Sequence, residues 1–155
     1  TRCDAVKVEG ETRVKEIVKH LVKNKIPVLG HIGITPQTAK GKFRSKGKNE
    51  SEIRKLLKDA QDLEQSGAFG IVLECIYSDI SKQITNAINI PTIGIGASVN
   101  CDGQVLVTDD LIGLNETKFR FVKKFGNIKK DIKSAVIKYK NSVKQKKFPS
   151  KKNSY

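Results

Sequence analysis

The sequence predicts an α/β fold built on a parallel β-sheet, and three observations lead to this expectation. Short apolar, β-branched runs alternate along the chain with longer segments whose apolar residues recur at helical spacing. The apolar runs are nearly continuous, which is typical of strands that are covered on both faces. Glycine, proline or polar turns separate the segments. Strands and helices that alternate in this way form a parallel sheet with helices packed on it.

The predicted elements follow one another along the chain. The strands are Ala5 to Glu9, Pro27 to Ile32, Gly70 to Cys75, Thr92 to Ile95 and Gln104 to Thr108. Helices are predicted between them and after them, at Thr12 to Asn24, Ser51 to Ser66, Ser78 to Asn89, Thr117 to Phe125 and Ile128 to Lys146. Ser51, followed by Arg54, is the expected start of the second helix, without a full capping box.

Closed barrels and open doubly wound sheets both fit this alternation, and two features favour a barrel. Polar residues recur at the carboxyl ends of successive strands, and a complete barrel of this type takes about 250 residues. The chain has 155 residues, contains no Met and opens on Thr1 directly before a strand, so we expect a piece of a longer protein. We predict that residues 1–155 are the C-terminal part of one (βα)8 TIM barrel domain, roughly its last five βα units, with the N-terminal strands missing.

The formal net charge of +14 and the pI of about 9.8 raise the question of a nucleic-acid or anionic-surface partner. Most of the positive charge is Lys on the polar faces of helices, as in the segment Ile128 to Lys147, whose other side carries an apolar stripe. Arginine and interleaved aromatic residues, which grip phosphates and bases, are scarce. We therefore expect a solvated basic surface and no nucleic-acid partner.

The sequence also suggests where the protein works. No apolar run approaches the roughly 20 residues that a bilayer span needs, and the first residues contain no apolar segment that would serve as a signal peptide. We expect no membrane partner and a cytoplasmic location.

Cys3, Cys75 and Cys101 are odd in number and widely spaced, which predicts reduced thiols rather than a disulfide framework or a zinc site.

The first two predicted strands end on residues that could take part in chemistry. In AVKVEG, Lys7 and Glu9 project to the same side of the strand, which in a barrel is the interior near the mouth. Judged from this segment alone, an ordinary Lys–Glu ion pair at a strand end is an equally good interpretation. His31 ends the next strand between two glycines, although a lone His is more often a packed or surface residue than a catalytic one.

Glu74 interrupts the apolar run GIVLECIYS, in which the pattern of a buried strand predicts no charged residue. It shares a side of the strand with Val72 and belongs at an inward carboxyl end. It could simply mark the exposed strand end, or it could be a carboxylate that removes a proton from carbon. The long segment from Thr35 to Asn49 could be an active-site lid or merely a mobile surface loop.

Five segments together resemble the ketopantoate hydroxymethyltransferase family. They occur in order and at similar spacing over essentially the whole chain, as VKVEGE, PVLGHIGITPQT, SGAFGIVLECI, IPTIGIGASVNCDGQVLVTDDLIGL and FPSKKNSY. The resemblance implies a (βα)8 barrel, dependence on Mg2+ and a homodecamer of the full-length protein. It also implies transfer of a one-carbon hydroxymethyl unit from 5,10-methylenetetrahydrofolate to 3-methyl-2-oxobutanoate, giving 2-dehydropantoate in pantothenate biosynthesis.

The resemblance also assigns roles to single residues by their positions in these motifs. Glu74 would be the proton acceptor, Glu9 a metal-binding residue and Lys7 a residue that binds the keto acid. His31 would be a supporting active-site residue. A divalent cation and the Lys7 ammonium would stabilise the enolate that forms when Glu74 removes the C3 proton, because this carbon acid is too weak for a carboxylate alone.

Some positions depart from the family pattern. Glu11 stands where Gly is common, Tyr77 where Pro is usual and Asp109 where His is often seen. None of these removes a proposed catalytic group. The remaining metal carboxylates would lie in the missing strands, so we expect the isolated piece to be unstable and inactive, with exposed sheet edges and a poor magnesium site.

Two other interpretations stay open. Another metal-dependent, aldolase-like barrel could use the same groups on a different 2-oxo acid. A non-catalytic nucleic-acid-binding protein could instead have been selected for its basic charge, and it would bind with a steep salt dependence.

Overall fold

The computed structural model describes residues 3–9, 14–37, 44–116 and 118–155. The chain divides into two compact units, Thr1–Val105 and Leu106–Tyr155, and each is described by itself. The expected start of the first helix at Thr12, the family departure at Glu11 and much of the predicted lid loop lie outside the described residues.

A five-stranded parallel sheet forms the centre of the first unit. Its strands are β1 (Val6–Glu9), β2 (Val28–Gly33), β3 (Gly70–Glu74), β4 (Thr92–Ile95) and β5 (Gly103–Gln104). Three helices connect them, α1 (Val14–Lys23), α2 (Glu50–Gln65) and α3 (Ser78–Ala87). Each strand pairs in parallel with the next strand in sequence, in the order β1-β2-β3-β4-β5. The predicted α/β fold with a parallel sheet is therefore confirmed.

The apolar core lies between one face of this sheet and the helices. Strand alternation places Val28, Ile32, Ile71 and Leu73 on that face, and all four are buried. They belong to one apolar cluster with helix residues, which include Val18, Leu56, Ala60, Leu63, Ile80 and Ile84. The intervening strand positions face the opposite side of the sheet, which leaves that side open to polar residues.

The last predicted strand is largely wrong. β5 covers only Gly103–Gln104, where Ile93 pairs with Gly103 and Gly94 with Gln104. The residues that follow lead into a short helix, α4 (Thr108–Leu111), and Val105 and Val107 are about half exposed. The β-branched pattern of this segment is that of a strand, but β5 is the edge of the sheet over the described residues. A strand without a further neighbour has few ladder hydrogen bonds to extend it.

The predicted helix Thr117 to Phe125 is also wrong over residues 118–125, since Thr117 lies outside the described residues. The Phe119 and Phe121 rings stack with centroids 5.8 Å apart, and the Phe125 N–H donates to the carbonyl of Leu111. These contacts replace the regular hydrogen bonds of a helix. The final predicted helix is confirmed as α5 (Ile128–Lys144), which begins after Asn127, whose side chain accepts the Lys130 N–H.

The start of α2 differs from the expected one by a single residue. Asn49 is the N-cap, and its side-chain oxygen accepts the Glu52 N–H at 2.9 Å. The Glu52 carboxylate in turn accepts the N–H groups of Gly47 and Lys48, each at 3.0 Å. The start was misplaced at Ser51 because Asn49 is the N-cap, whose side chain accepts the Glu52 N–H, one of the orphan donors of the first turn.

None of the helices in the described part of the chain has the length and hydropathy required to cross a lipid bilayer.

Candidate active site

Four polar side chains meet on the side of the sheet that faces away from the helices. Alternation along β1 places Lys7 and Glu9 on this side, and the β1–β2 register sets Glu9 beside His31. The β2–β3 register pairs Gly33 with Glu74, so Glu74 stands at the end of the next strand on the same side. All four residues lie toward the carboxyl ends of parallel strands, where active sites of such sheets are found. The structure thus brings together the four candidate site residues, Lys7, Glu9, His31 and Glu74.

His31 lies between the two carboxylates. Its side chain is 1% exposed, its Nδ1 atom is 3.0 Å from Glu9 Oε2, and its Nε2 atom is 3.1 Å from Glu74 Oε2. Glu9 is also nearly buried, at 6% exposure, whereas Glu74 is 19% exposed and reaches toward the solvent side. The Nε2 atom is close to Glu74 but is not aligned for a hydrogen bond. The His31 imidazole therefore lies between the carboxylates of Glu9 and Glu74, in a site that is mostly shielded from water.

Lys7 completes the cluster with a positive charge. Its Nζ atom lies 3.3 Å from His31 Nδ1 and 3.9 Å from Glu9 Oε2, and its side chain is 47% exposed. If the ammonium donates to Nδ1, the neutral imidazole carries its proton on Nε2, the atom next to Glu74. This arrangement leaves the cation accessible to an anionic ligand while the imidazole and Glu9 stay buried beneath it.

The backbone around Glu74 is held from both sides. The Glu74 carbonyl accepts the Ile34 N–H at 2.9 Å, and the N–H of Cys75 donates to the Ile95 carbonyl at 2.9 Å. Cys75 has a positive φ of 52°, which non-glycine residues seldom adopt. Burial, followed by the charge of the adjacent Glu74 carboxylate, raises the pKa of the Cys75 thiol to about 11. The thiol next to the site is therefore protonated at neutral pH.

The donor set was compared with the needs of magnesium, which takes oxygen ligands and often retains water. Glu9 offers one carboxylate, but its Oε1 atom accepts the Gln37 N–H at 2.7 Å and its Oε2 atom faces His31. Across the residues that the structure describes, no group of three or more His, Cys, Asp or Glu side chains is placed to hold a metal ion. The described residues therefore do not make up a magnesium site by themselves.

A surface depression lies on the other side of the end of β2, beside α2. His31, Gly33 and Thr35 border it, together with charged side chains that are Lys46, Glu52, Lys55 and Asp59. Neither Glu9 nor Glu74 borders it. The cluster on the open face is the better candidate for chemistry because it combines two carboxylates, a buried imidazole and an accessible cation.

Comparisons with known proteins identify the family. The family model for ketopantoate hydroxymethyltransferase matches residues 1–151. The chain belongs to the ketopantoate hydroxymethyltransferase family. It is 56% identical over 155 residues to the 3-methyl-2-oxobutanoate hydroxymethyltransferase of Pelagibacter ubique (strain HTCC1062), covering 100% of this chain and 60% of that protein.

Proteins of the same name from two other organisms are also similar to this chain. The protein of Clostridium botulinum (strain 657 / Type Ba4) is 51% identical over 154 residues, covering 97% of this chain and 56% of that protein. The protein of Saccharolobus solfataricus is 50% identical over 150 residues, covering 96% of this chain and 56% of that protein. This ketopantoate hydroxymethyltransferase family member therefore spans 56–60% of the length of these relatives.

Sequence reasoning missed several groups that surround the four site residues. The Gln37 N–H donates to Glu9 Oε1, although the two residues are 28 positions apart in the sequence. No local sequence pattern indicates such a contact. Gly33 was seen only as a flank of His31, although its positive φ of 104° marks a special backbone position. The family departure Tyr77 is half exposed at the start of α3, and Asp109 is exposed in α4, so neither belongs to the cluster of four.

Proposed function

We propose that the full-length protein carrying this segment is a 3-methyl-2-oxobutanoate hydroxymethyltransferase. It transfers a one-carbon unit from 5,10-methylenetetrahydrofolate to 3-methyl-2-oxobutanoate and so produces 2-dehydropantoate for pantothenate synthesis. The names of the relatives support the acceptor and the hydroxymethyl transfer. The folate donor, the cytoplasmic location and the homodecamer enter the proposal through the family resemblance.

The observation that carries the proposal is the cluster in which His31 separates Glu9 from Glu74. A carboxylate that reaches solvent from a mostly buried polar cluster can accept a proton from a ligand bound on the open face. Glu74 is the more exposed of the two carboxylates, so it is the proton acceptor in this proposal. Glu9 lies deeper and is already contacted at both oxygens.

The residues of the cluster divide the chemistry between them. Glu74 removes the C3 proton of the keto acid, and the electron pair of that C–H bond forms the enolate. The Lys7 ammonium binds the anionic keto acid and offsets the negative charge that develops on oxygen. His31 keeps Glu74 in place and the pocket compact. Water adds to the methylene carbon of the folate donor, both C–N bonds of that carbon break, and tetrahydrofolate leaves with the two water protons on its nitrogens. The enolate carbon forms the new C–C bond to the resulting one-carbon carbonyl, and the oxygen of that carbonyl takes the proton from Glu74 and becomes the hydroxyl group.

Magnesium is part of the proposal because the family resemblance implies it. Glu9 is the described residue that would bind it. Ligands beyond Glu9 would come from the part of the relatives' length that this chain does not span. The steps above rest on the protein groups alone.

We also propose that the sheet is part of a closed (βα)8 barrel and that this chain supplies its C-terminal part. The strand order β1-β2-β3-β4-β5 supports this, because it shows no reversal of direction along the sheet. An open doubly wound sheet has such a reversal at its ligand-binding crevice. A barrel also accounts for polar residues that line the face away from the helices near the strand ends.

Substrate-dependent hydrogen exchange tests the proposed function. The full-length protein is mixed with magnesium chloride and 3-methyl-2-oxobutanoate in deuterated water, and the loss of the C3 proton signal is followed by NMR. Pyruvate and 2-oxobutanoate are tested in parallel. We expect exchange with the branched keto acid and formation of 2-dehydropantoate when the folate donor is added. Exchange restricted to the other keto acids would support the aldolase-like alternative, and a complete lack of exchange would contradict both.

A further inference from the structure

Gly33 occupies the position directly beside Glu74 in the sheet, and the two residues are paired in the β2–β3 register. Its backbone has a φ of 104°, a conformation that L side chains rarely adopt. A Cβ atom at this position would overlap the carbonyl oxygen of Glu74 and would lie 3.0 Å from its carbonyl carbon. It would also approach Cγ1 of Ile76 to 2.9 Å. The absence of a side chain at Gly33 therefore allows the backbone of Glu74 to sit where it does.

The same stretch of backbone is tied down on either side of the carboxylate. The N–H of Ile34, the residue after Gly33, donates to the Glu74 carbonyl, and Cys75 follows Glu74 with its own positive φ. Glu74 thus stands between two residues with unusual backbone conformations. Strained positions of this kind cluster at functional sites, where the surrounding structure holds them. A shift of the Glu74 backbone would also change the 3.1 Å separation of its Oε2 from His31 Nε2.

We propose that Gly33 is a positioning residue for the base Glu74, an inference that rests on the proposed function. Gly33 does not touch the substrate in this account. It sets the place of the Glu74 carboxylate through the contact of the two backbones. Its replacement should therefore impair proton removal while leaving the binding of the keto acid by Lys7 nearly intact.

The test uses the full-length protein and the Gly33→Ala variant. We expect C3 hydrogen exchange to fall by about 100-fold, the loss that follows a displacement of a reacting group by about 1 Å. The KM for the keto acid should stay within about threefold of the wild-type value, because ground-state binding is retained. The effect should also be non-additive, so that Glu74→Gln lowers the exchange rate much less in Gly33→Ala than in the wild type.

Gly30→Ala is the matched control on the same strand. A Cβ atom at Gly30 would approach Leu63 Cδ1 to 2.8 Å, so this variant also crowds the protein, but on the side that faces α2. It should exchange at nearly the wild-type rate and lose less thermal stability, because the end of the Leu63 side chain can shift whereas the backbone of Glu74 cannot. Equal losses of exchange in Gly30→Ala and Gly33→Ala would overturn the inference, because crowding in general would then be the cause.

A second variant keeps the inference testable if Gly33→Ala is hard to fold. Cys75→Gly removes the strain at the residue after Glu74 and allows its backbone more freedom. We expect a several-fold lower kcat for exchange at unchanged KM and an unchanged melting temperature. Wild-type kcat in this variant would contradict a positioning role.

The outcomes also separate this inference from the proposed function. If the wild-type protein exchanges C3 and Glu74→Gln does not, the proposed function stands. A fully active Gly33→Ala would then overturn the positioning role alone. A wild-type protein without exchange would overturn the proposed function itself.

Discussion

Cys75 illustrates how closely the residues around the site constrain each other. It follows the proposed base directly, adopts a positive φ and has a partly buried side chain. Burial and then the charge of Glu74 raise its pKa to about 11 from an ordinary value of 9.0. A thiolate here would add a negative charge beside a carboxylate that must accept a proton. The raised pKa extends the pH range in which the thiol is neutral from about 9 to about 11.

This leads to a prediction for thiol reactivity. In a Cys3→Ser, Cys101→Ser protein, the rate of alkylation of Cys75 by iodoacetamide should rise with pH toward a midpoint of about 11. Glu74→Gln should move that midpoint to lower pH, since one cause of the shift is removed. The stabilising effect of the neutral thiol is present below pH 9.0 and is lost as the pH rises through about 11. An alkylation midpoint near 9 in the folded protein would contradict this description.

At the residue scale, the face of each site residue could be predicted from the sequence. Side chains alternate along a strand, so Lys7 and Glu9 had to share a face, and Glu74 had to share one with Val72. Distances could not be predicted, because they depend on the register between strands that are far apart in sequence. The contact between Gln37 and Glu9 is of this kind.

At the scale of elements, α2 shows how a helix start also fixes the end of the preceding loop. Glu52 accepts hydrogen bonds from Gly47 and Lys48 and forms an ion pair with Arg44. The Arg44 guanidinium, followed by these backbone N–H groups, lowers the pKa of Glu52 to about 2 from 4.5. The Glu52 carboxylate therefore links the N-terminus of α2 to Arg44, Gly47 and Lys48, which precede the helix.

We predict that Glu52→Gln destabilises the protein at neutral pH by about 1 kcal/mol, the usual size for such charged hydrogen bonds near a surface. Because the folded-state pKa is lowered, this stabilisation is present above pH 4.5 and is lost as the pH falls toward 2. The difference in melting temperature between wild type and variant should shrink over that range. Glu50→Gln is the matched control, since Glu50 pairs only with exposed Arg54 in the same helix. A difference that does not depend on pH would contradict the assignment.

The elements that were predicted wrongly have a common physical cause. Residues 105–107 have the β-branched pattern of a strand, yet a strand forms only where a neighbour supplies hydrogen-bond partners. The helix expected over 118–125 likewise gave way to ring stacking and a contact with Leu111. Local propensity was sufficient for β3, β4 and α5, whose patterns agree with their surroundings. It was insufficient where contacts with other parts of the chain, or the absence of a neighbouring strand, decided the structure.

At the scale of the whole molecule, the polar face of the sheet and the basic surface have different origins. The cluster of Lys7, Glu9, His31 and Glu74 is gathered by a parallel sheet whose strands end at one edge. The excess of Lys is spread over exposed helix faces, most clearly in α5, where nearly every residue is exposed. The net positive charge is therefore a property of the exposed surface, whereas the candidate active site depends on four particular side chains.

We predict that the 155-residue segment alone shows no C3 exchange and unfolds at a lower temperature than the full-length protein. Within the described residues, β1 and β5 are sheet edges, and apolar side chains of α5 such as Ile132 and Val136 are about half exposed. Calorimetry and the NMR exchange assay on both proteins check this. Turnover by the segment at the full-length rate would contradict it.

The central claim is that Glu74 takes the proton from C3 of the keto acid. The most direct measurement compares C3 exchange in deuterated water for full-length wild type, Glu74→Gln and Glu16→Gln, an exposed Glu on α1. Loss of a general base should slow exchange by about 100- to 10,000-fold in Glu74→Gln, whereas Glu16→Gln should exchange at the wild-type rate. Exchange at the wild-type rate in Glu74→Gln would contradict the account.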